Sequence, residues 1–374
     1  MRQYCSEHMK MDRNVVVTGI GLVTDKGCEQ DIIWGNLYYS NYESTLEKDC
    51  GMICGSDFKK RFPDITLCST YGFSAAELAW KDAFELRDDN FAGGNWGVFN
   101  GTAFGSFTNT VNDICREYVK NGPGGLLPGI FNNKSCNVTA DIISICHKLT
   151  GVNNTYMSGR LASGMAMMQA YDDIKDFGLH GAVVVGTEAI DPFIVKGHGL
   201  LGVEETASFA SGAGSVVLQA LEDTGTGPVV PQAYIRAVEV AGGAGKTGQA
   251  SHHLWKSLIR AMSTALDNAG IGAGEIDLIV SGQGMSGIEK LCYKKAYGKI
   301  FGDSYNSKVF NTKEAAGDFI GALPVINTVF GIMLIGRQSI PYKDRDDARS
   351  IRYAMITAGD TDGSAWALIL ERCR

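Results

Sequence analysis

The residue runs most able to do chemistry each lack something that chemistry needs. Gly242-Gly-Ala-Gly-Lys-Thr247 has the look of a phosphate-cradling loop, but the position where the motif needs its earlier glycine is Val240. Cys50 and Cys54 stand at a metal-like spacing, without a second pair or a nearby histidine to complete four ligands. His252 and His253 are adjacent, so on a helix they point to different sides and cannot chelate as an i, i+4 pair would. Gly19-Ile-Gly21 has no third glycine to make a dinucleotide fingerprint. No cofactor and no metal is implied.

Composition narrows the classes further. The 374 residues carry 34 Lys+Arg against 41 Asp+Glu, a formal net charge of -7, which argues against a nucleic-acid binder. Hydrophobic residues reach 45%, enough for a large buried core and too many for a disordered chain. The 47 glycines beside only 8 prolines indicate tight turns and close backbone contacts. Residues 1–13 are polar, with no apolar stretch of the secretory kind. The apolar runs 182–186 and 329–336 are far short of a bilayer span. The reading is a cytoplasmic protein with no membrane partner, its ten cysteines being thiols rather than a disulfide framework.

The elements that must position any site alternate in type. Short β-rich runs fall at 15–19, 96–101, 182–186 and 214–218, and again at 235–240, 278–282, 308–311, 352–357 and 365–370. Most are continuously apolar, as strands buried on both faces are. Helical patterns lie between them at 74–86, 138–149, 162–174, 252–269 and 317–336. In the fourth, Leu254, Leu258, Ala261 and Ala265 form one apolar face, and Gly270 suits a left-handed C-cap. The expected class is α/β. A coarse repeat is visible, because each half closes on a small-residue helix followed by two strands. The predicted division is an N-terminal extension at 1–13, a first half at 14–222 with insertions for a cap or dimer interface, and a second half at 229–374.

Several motifs, in order, resemble those of the β-ketoacyl carrier-protein synthases. Val15-Val-Val-Thr-Gly-Ile-Gly-Leu-Val23 resembles their opening strand, and Gly151-Val-Asn-Asn-Thr155 the segment leading into their nucleophile. Ala162-Ser-Gly-Met-Ala166 is similar to the helix after the nucleophile, and Ser211-Gly-Ala-Gly-Ser-Val-Val-Leu218 to the glycine-rich strand closing the first half. Asp277-Leu-Ile-Val-Ser-Gly-Gln-Gly284 resembles the strand ending in the first catalytic histidine, and the run from Asn311 to Ala322 the motif with a lysine and the second histidine. The resemblance spans 14–371. It implies the thiolase fold, five αβαβα layers built from two similar halves.

Such enzymes place a cysteine at the start of a buried helix, where dipole and backbone N–H groups favour the thiolate and hold the thioester oxyanion. Two histidines then stabilise charge as a malonyl thioester decarboxylates. Carried over residue by residue, this pattern places Leu161 at the nucleophile, Ser281 at the first histidine and Asp318 at the second, with Lys313 retained. Gly359-Asp-Thr-Asp-Gly363 stands where the resemblance implies a Phe-containing glycine loop. None of the six histidines falls in a catalytic slot. Asp318 also suits the first turn of a helix. A Lys313–Asp318 salt link would fill the vacated site, and Arg160 could neutralise Asp318 or reach a partner chain.

The resemblance thus extends to chain-length factors, inactive ketosynthase homologues that pair with an active synthase and shape its acyl tunnel. It implies a heterodimer with an active ketosynthase, an acyl carrier protein as second partner, and polyketide, fatty-acid or aryl-polyene chemistry. Leu126, Leu127, Ile130 and Phe131 are candidates for the tunnel end or the interface, or for packing within the monomer. Two other readings stay open. One is an acyltransferase or thioesterase-like enzyme using Ser281, Ser158 or Ser163, although a serine triad also needs a base. The other is a homodimeric acyl-binding scaffold.

Overall fold

The computed structural model describes residues 11–37, 44–84, 93–126, 134–200, 208–224, 230–243, 250–284, 286–341 and 350–373. Ten strands share one sheet in the order β3-β2-β4-β5-β1-β6-β10-β9-β7-β8. In the first half these are β1 (Val15–Thr24), β2 (Trp96–Gly101), β3 (Asn153–Tyr156), β4 (Gly181–Glu188) and β5 (Gly212–Ala220). In the second they are β6 (Ala233–Ala241), β7 (Ile276–Ser281), β8 (Val309–Asn311), β9 (Tyr353–Gly359) and β10 (Ala365–Arg372). Read outward from β1 and from β6, the two groups of five have the same order. Both have parallel outer pairs and antiparallel inner ones. They meet where Val15, Val16 and Val17 pair with Ile235, Tyr234 and Ala233.

Eleven helices run in chain order among the described residues: α1 (Gln30–Asn36), α2 (Leu46–Arg61), α3 (Leu67–Phe84), α4 (Phe107–Asn121), α5 (Val138–His147), α6 (Ala162–Lys175), α7 (Pro192–Leu200), α8 (Leu254–Ala269), α9 (Gly287–Phe301), α10 (Thr312–Ala315) and α11 (Leu323–Arg337). α6 and α11 touch each other and strands of both halves, so they form the middle layer. α3 and α5 cover the first sheet half on its outer side, and α8, backed by α9, covers the second. The sheet is therefore covered on both faces, which is why its strands read as unbroken apolar runs.

Two sequence expectations are corrected by this packing. β1 runs on through Gly19 and Gly21 to Thr24, because α3 lies directly on those positions: a Cβ on Gly19 or Gly21 would sit 2.2 and 2.0 Å from the carbonyl oxygens of Ala79 and Ala75. Here glycine provides close approach and does not end the strand. The second concerns length. The helical stretch Ile320–Arg337 spans 18 residues at a mean hydropathy of 1.6, long and apolar enough on paper to cross a membrane, but 89% of it is buried inside the protein as the middle layer. Gly270 does cap α8, with φ +68.

Candidate functional site

The start of α6 is placed by bare backbone. A Cβ on Gly101, the last residue of β2, would lie 2.2 Å from the Cα of Ser163. Only glycine there lets the first turn of α6 rest against the end of β2. Before it, Gly159 at φ +58 opens a tight turn, Gly159–Leu161, in a conformation that disfavours other residues. The Asp360 carboxylate pins this turn by accepting the Arg160 backbone N–H at 2.7 Å. Leu161 thereby becomes the residue immediately before α6 and is buried in the main core with Phe319, Ala322 and Leu323. A hydrocarbon side chain occupies the place that the ketosynthase resemblance assigns to a thiolate.

Arg160 turns inward. Its Nη1 donates to Asp318 Oδ2 at 2.6 Å, and Lys313 Nζ lies 3.3 Å from the same oxygen. Lys313 Nζ also reaches Glu289 Oε1 at 3.5 Å. Asp318 is fully buried, and its Oδ1 accepts the Ile320 backbone N–H at 3.0 Å. Burial alone would raise the Asp318 carboxyl, but Lys313 and Arg160 overcome that and hold it well below the usual carboxylate range. Burial in turn disfavours the Arg160 cation, and the Asp318 carboxylate outweighs it. Two cations and two carboxylates thus satisfy one another across the halves. Both of the partners that the sequence offered Asp318, Lys313 and Arg160, are engaged. Asp318 stands one residue before Phe319, the N-cap of the turn Ile320–Ala322, and accepts that turn's first N–H; α11 itself begins only at Leu323.

Ser281 ends β7, fully buried, and accepts hydrogen bonds from the Tyr297 hydroxyl at 2.8 Å and the Gln283 N–H at 3.1 Å. Tyr297 in turn shares a hydrogen bond with Thr357 at 2.7 Å, and burial raises its phenol above the ordinary range. No histidine or carboxylate is among the hydrogen-bond partners of Ser281 in the described residues. Ser163 accepts the Val325 N–H at 3.2 Å and is fully buried, whereas Ser158 is exposed ahead of the turn. Leu126 is half-buried just after a short turn that follows α4. Leu127, Ile130 and Phe131 lie outside the described residues, as do Lys246 and Thr247 of the loop-like glycine run.

One organising residue escaped the sequence reading. Glu188, at the end of β4, is fully buried and accepts from the Thr102 hydroxyl at 2.9 Å. It also accepts the backbone N–H groups of Ala103, Phe104, Gly105 and Gly321 at 2.8, 3.1, 3.3 and 3.2 Å. Burial raises its pKa, and these donors oppose the rise. Glu188 ties the loop after β2 to the turn that follows Asp318. A lone carboxylate closing an apolar strand was the signal available. Above the ion cluster, His198 stands edge-on between Phe104 and Phe209, with centroids at 5.6 and 5.0 Å, and the Arg160 guanidinium lies 5.8 Å from the Phe209 ring. Among the described residues no three His, Cys, Asp or Glu side chains come together in a way that could hold a metal ion.

Strand order and a middle layer of two helices define the class: this is a protein of the thiolase fold, and the proteins it is similar to are ketosynthases. No protein-family model matches the chain. It is 25% identical, over 86% of its own length and 86% of the relative's, to the 3-oxoacyl-[acyl-carrier-protein] synthase 2 of Rhizobium meliloti (strain 1021). Among solved structures, a type II PKS acyl-carrier protein in complex with its ketosynthase bound to the hexaketide (AntDE:AntF) matches with a TM-score of 0.80 and 17% identity, covering 97% of this chain and 100% of that one. The ishigamide ketosynthase/chain length factor matches with a TM-score of 0.75 and 18% identity, covering 96% and 100%.

Proposed function

We propose that this chain is a non-catalytic, cytoplasmic ketosynthase-like subunit of the chain-length-factor type. It pairs with an active β-ketoacyl synthase, shapes the acyl tunnel of the complex, and meets its acyl carrier protein, in fatty-acid, polyketide or aryl-polyene-type biosynthesis. The observation that carries this reading is the replacement of reactive groups by a closed ion cluster. Leu161 has no lone pair with which to form a thioester. Decarboxylation of a malonyl thioester builds negative charge, and a site that stabilises it needs neutral or cationic donors. Asp318, held ionised, would repel that charge, while its cationic neighbours are already satisfied. Ser281 is committed to Tyr297 and Gln283. The fold, meanwhile, is complete, and one of the similar structures is described as a ketosynthase/chain length factor.

Native mass spectrometry of the protein, isolated gently from its own cells, tests the reading. A one-to-one complex with a chain that carries an intact Cys-His-His set is the expected result. A homodimer alone would sink it in favour of a scaffold, or of an enzyme using Ser281, Lys313 and Asp318. In the reconstituted complex, Leu127→Ala and Phe131→Ala should lengthen the products if these side chains close the tunnel. Unchanged product lengths would place them elsewhere.

A further inference from the structure

A cavity of about 520 Å³ opens at the end of the sheet remote from the ion cluster. β7 and β9 run parallel, with Ser281 paired to Thr357 at one end and Ile276 to Tyr353 at the other. Ser281 belongs to the site already described, whereas Arg352, next to Tyr353, lines this cavity. Both halves of the chain contribute to it. Asn14 and Leu221 come from the first half, and residues at the start of β6, just before β9 and at the end of β10 come from the second.

Three of the lining residues are arginines, Arg236, Arg352 and Arg372, against one carboxylate, Glu371. Arg236 Nε donates to Glu371 Oε2 at 2.5 Å, and Arg352 Nε and Nη2 donate to Oε1 at 3.1 and 2.8 Å. Burial alone would raise the Glu371 carboxyl, but Arg352 and Arg236 outweigh it and hold it below its ordinary value. Each guanidinium also stacks on a tyrosine, Arg236 on Tyr234 and Arg352 on Tyr353, with Cζ 4.7 Å from the ring centroid in both. A ring against the face and a carboxylate at the edge fix the plane of each guanidinium, which lowers the ordering cost of binding a further anion. Nη1 of both has no hydrogen bond among the described residues, and the Arg372 side chain has no ion pair there. The nearby acids are engaged elsewhere: Glu222 and Asp223 face Arg13, and Asp277 accepts the backbone N–H groups of Arg352 and Tyr353. The cavity therefore keeps a positive charge in a chain whose formal net charge is -7.

We infer that this cavity binds a phosphorylated small molecule, its phosphate bridging the free N–H edges of Arg236, Arg352 and Arg372. The organic remainder lies on Leu221, Val230 and Pro231, the apolar part of the lining, where Val230 is 76% exposed. A phosphate group brings close to two charges and three acceptor oxygens, enough to bridge three guanidiniums. A carboxylate has only the two oxygens and single charge that Glu371 already supplies. The volume falls in the range of small-molecule sites, about 300–1,000 Å³, and the mixture of a few fixed polar groups with apolar walls is typical of them.

Titration calorimetry with the intact chain tests this inference, using ADP, inorganic pyrophosphate and succinate as probes at one ionic strength and without divalent cations. ADP and pyrophosphate should each bind one to one, and succinate at least about tenfold more weakly than ADP. ADP should be the tighter of the two phosphates, and Val230→Asn should remove that advantage while leaving pyrophosphate unchanged. Arg372→Glu should weaken both phosphates by about tenfold or more, the loss expected for one charge-assisted hydrogen bond. If that variant melts at a lower temperature, Arg372→Gln serves in its place. No binding of either phosphate, succinate as tight as ADP, or affinities untouched by the change at Arg372 would overturn the inference. ADP no tighter than pyrophosphate would overturn the place given to the organic remainder. None of these outcomes bears on the pairing with an active synthase.

Discussion

Arg160 Nη1 donates to Asp318 Oδ2 at 2.6 Å, and the two residues stand 158 positions apart, one in each half of the chain. The bond spans the point at which α6 begins and the turn before α11, so it locks together the two middle-layer helices. An ion pair this deeply buried is costly to form from water, and its value lies in how much is lost when one member is removed.

Asp318→Asn should therefore cost roughly 3–5 kcal/mol of unfolding free energy, because it leaves Arg160 and Lys313 buried without their shared carboxylate. The folded-state pKa of Asp318 is depressed, so its contribution is complete above its unfolded value of about 4 and fades as pH falls through the folded value. Urea denaturation of both proteins between pH 7 and pH 2 checks this. The gap between wild type and variant should hold steady from pH 7 to about pH 5 and narrow below about pH 4. A gap that widens on acidification would mean that the carboxylate is not held ionised by its neighbours.

Leu161→Cys should fold and still form no product. A thiol at this position faces a site in which Asp318 repels developing negative charge and Ser281 is engaged by Tyr297. The measurement is carbon dioxide release from malonyl carrier protein by the purified variant. Release above that of the unchanged protein would show that the ion cluster does not by itself prevent the chemistry, and would weaken the reading of a subunit that has lost catalysis.

Gly101→Ala tests the seating of α6. The added methyl would sit 2.2 Å from the Cα and 2.3 Å from the backbone N of Ser163, and backbone cannot rotate away as a flexible side chain would. The cost expected is roughly 3 kcal/mol, at the upper end of overpacking effects, read as a lowered midpoint in thermal unfolding. Gly94→Ala, where nothing lies within 4 Å of the added methyl, is the matched control and should leave the midpoint close to that of the unchanged protein. A midpoint equally unchanged in Gly101→Ala would mean that α6 is free to shift.

Much of the architecture was legible in the chain because both faces of the sheet are covered. Strands buried on two sides must be apolar throughout, so β2, β4, β5, β9 and β10 stood out as runs, and the recurring helix–strand–strand close betrayed the repeat. β3 did not stand out. Asn153-Asn-Thr-Tyr156 lies at the sheet edge, half-exposed, where no apolar signal is required. β1 looked shorter than it is because glycine reads as a break in one dimension, whereas here it is the seat of α3. Polar helices such as α2 and α9 carry too little apolar periodicity to be separated from loops.

At the site, counting along motifs puts Leu161, Ser281 and Asp318 where the ketosynthase resemblance implies reactive groups. It could not say how these side chains are held. Whether Asp318 meets Arg160, meets Lys313 or merely accepts a nearby backbone N–H depends on distances between residues brought together from opposite halves, and all three contacts exist at once. Glu188, likewise, is an isolated acid in the chain and a clasp in the fold. Residue type and spacing determine which chemistry is possible. Burial and the direction of side chains, which arise only when the two halves close on each other, decide which charges must find partners.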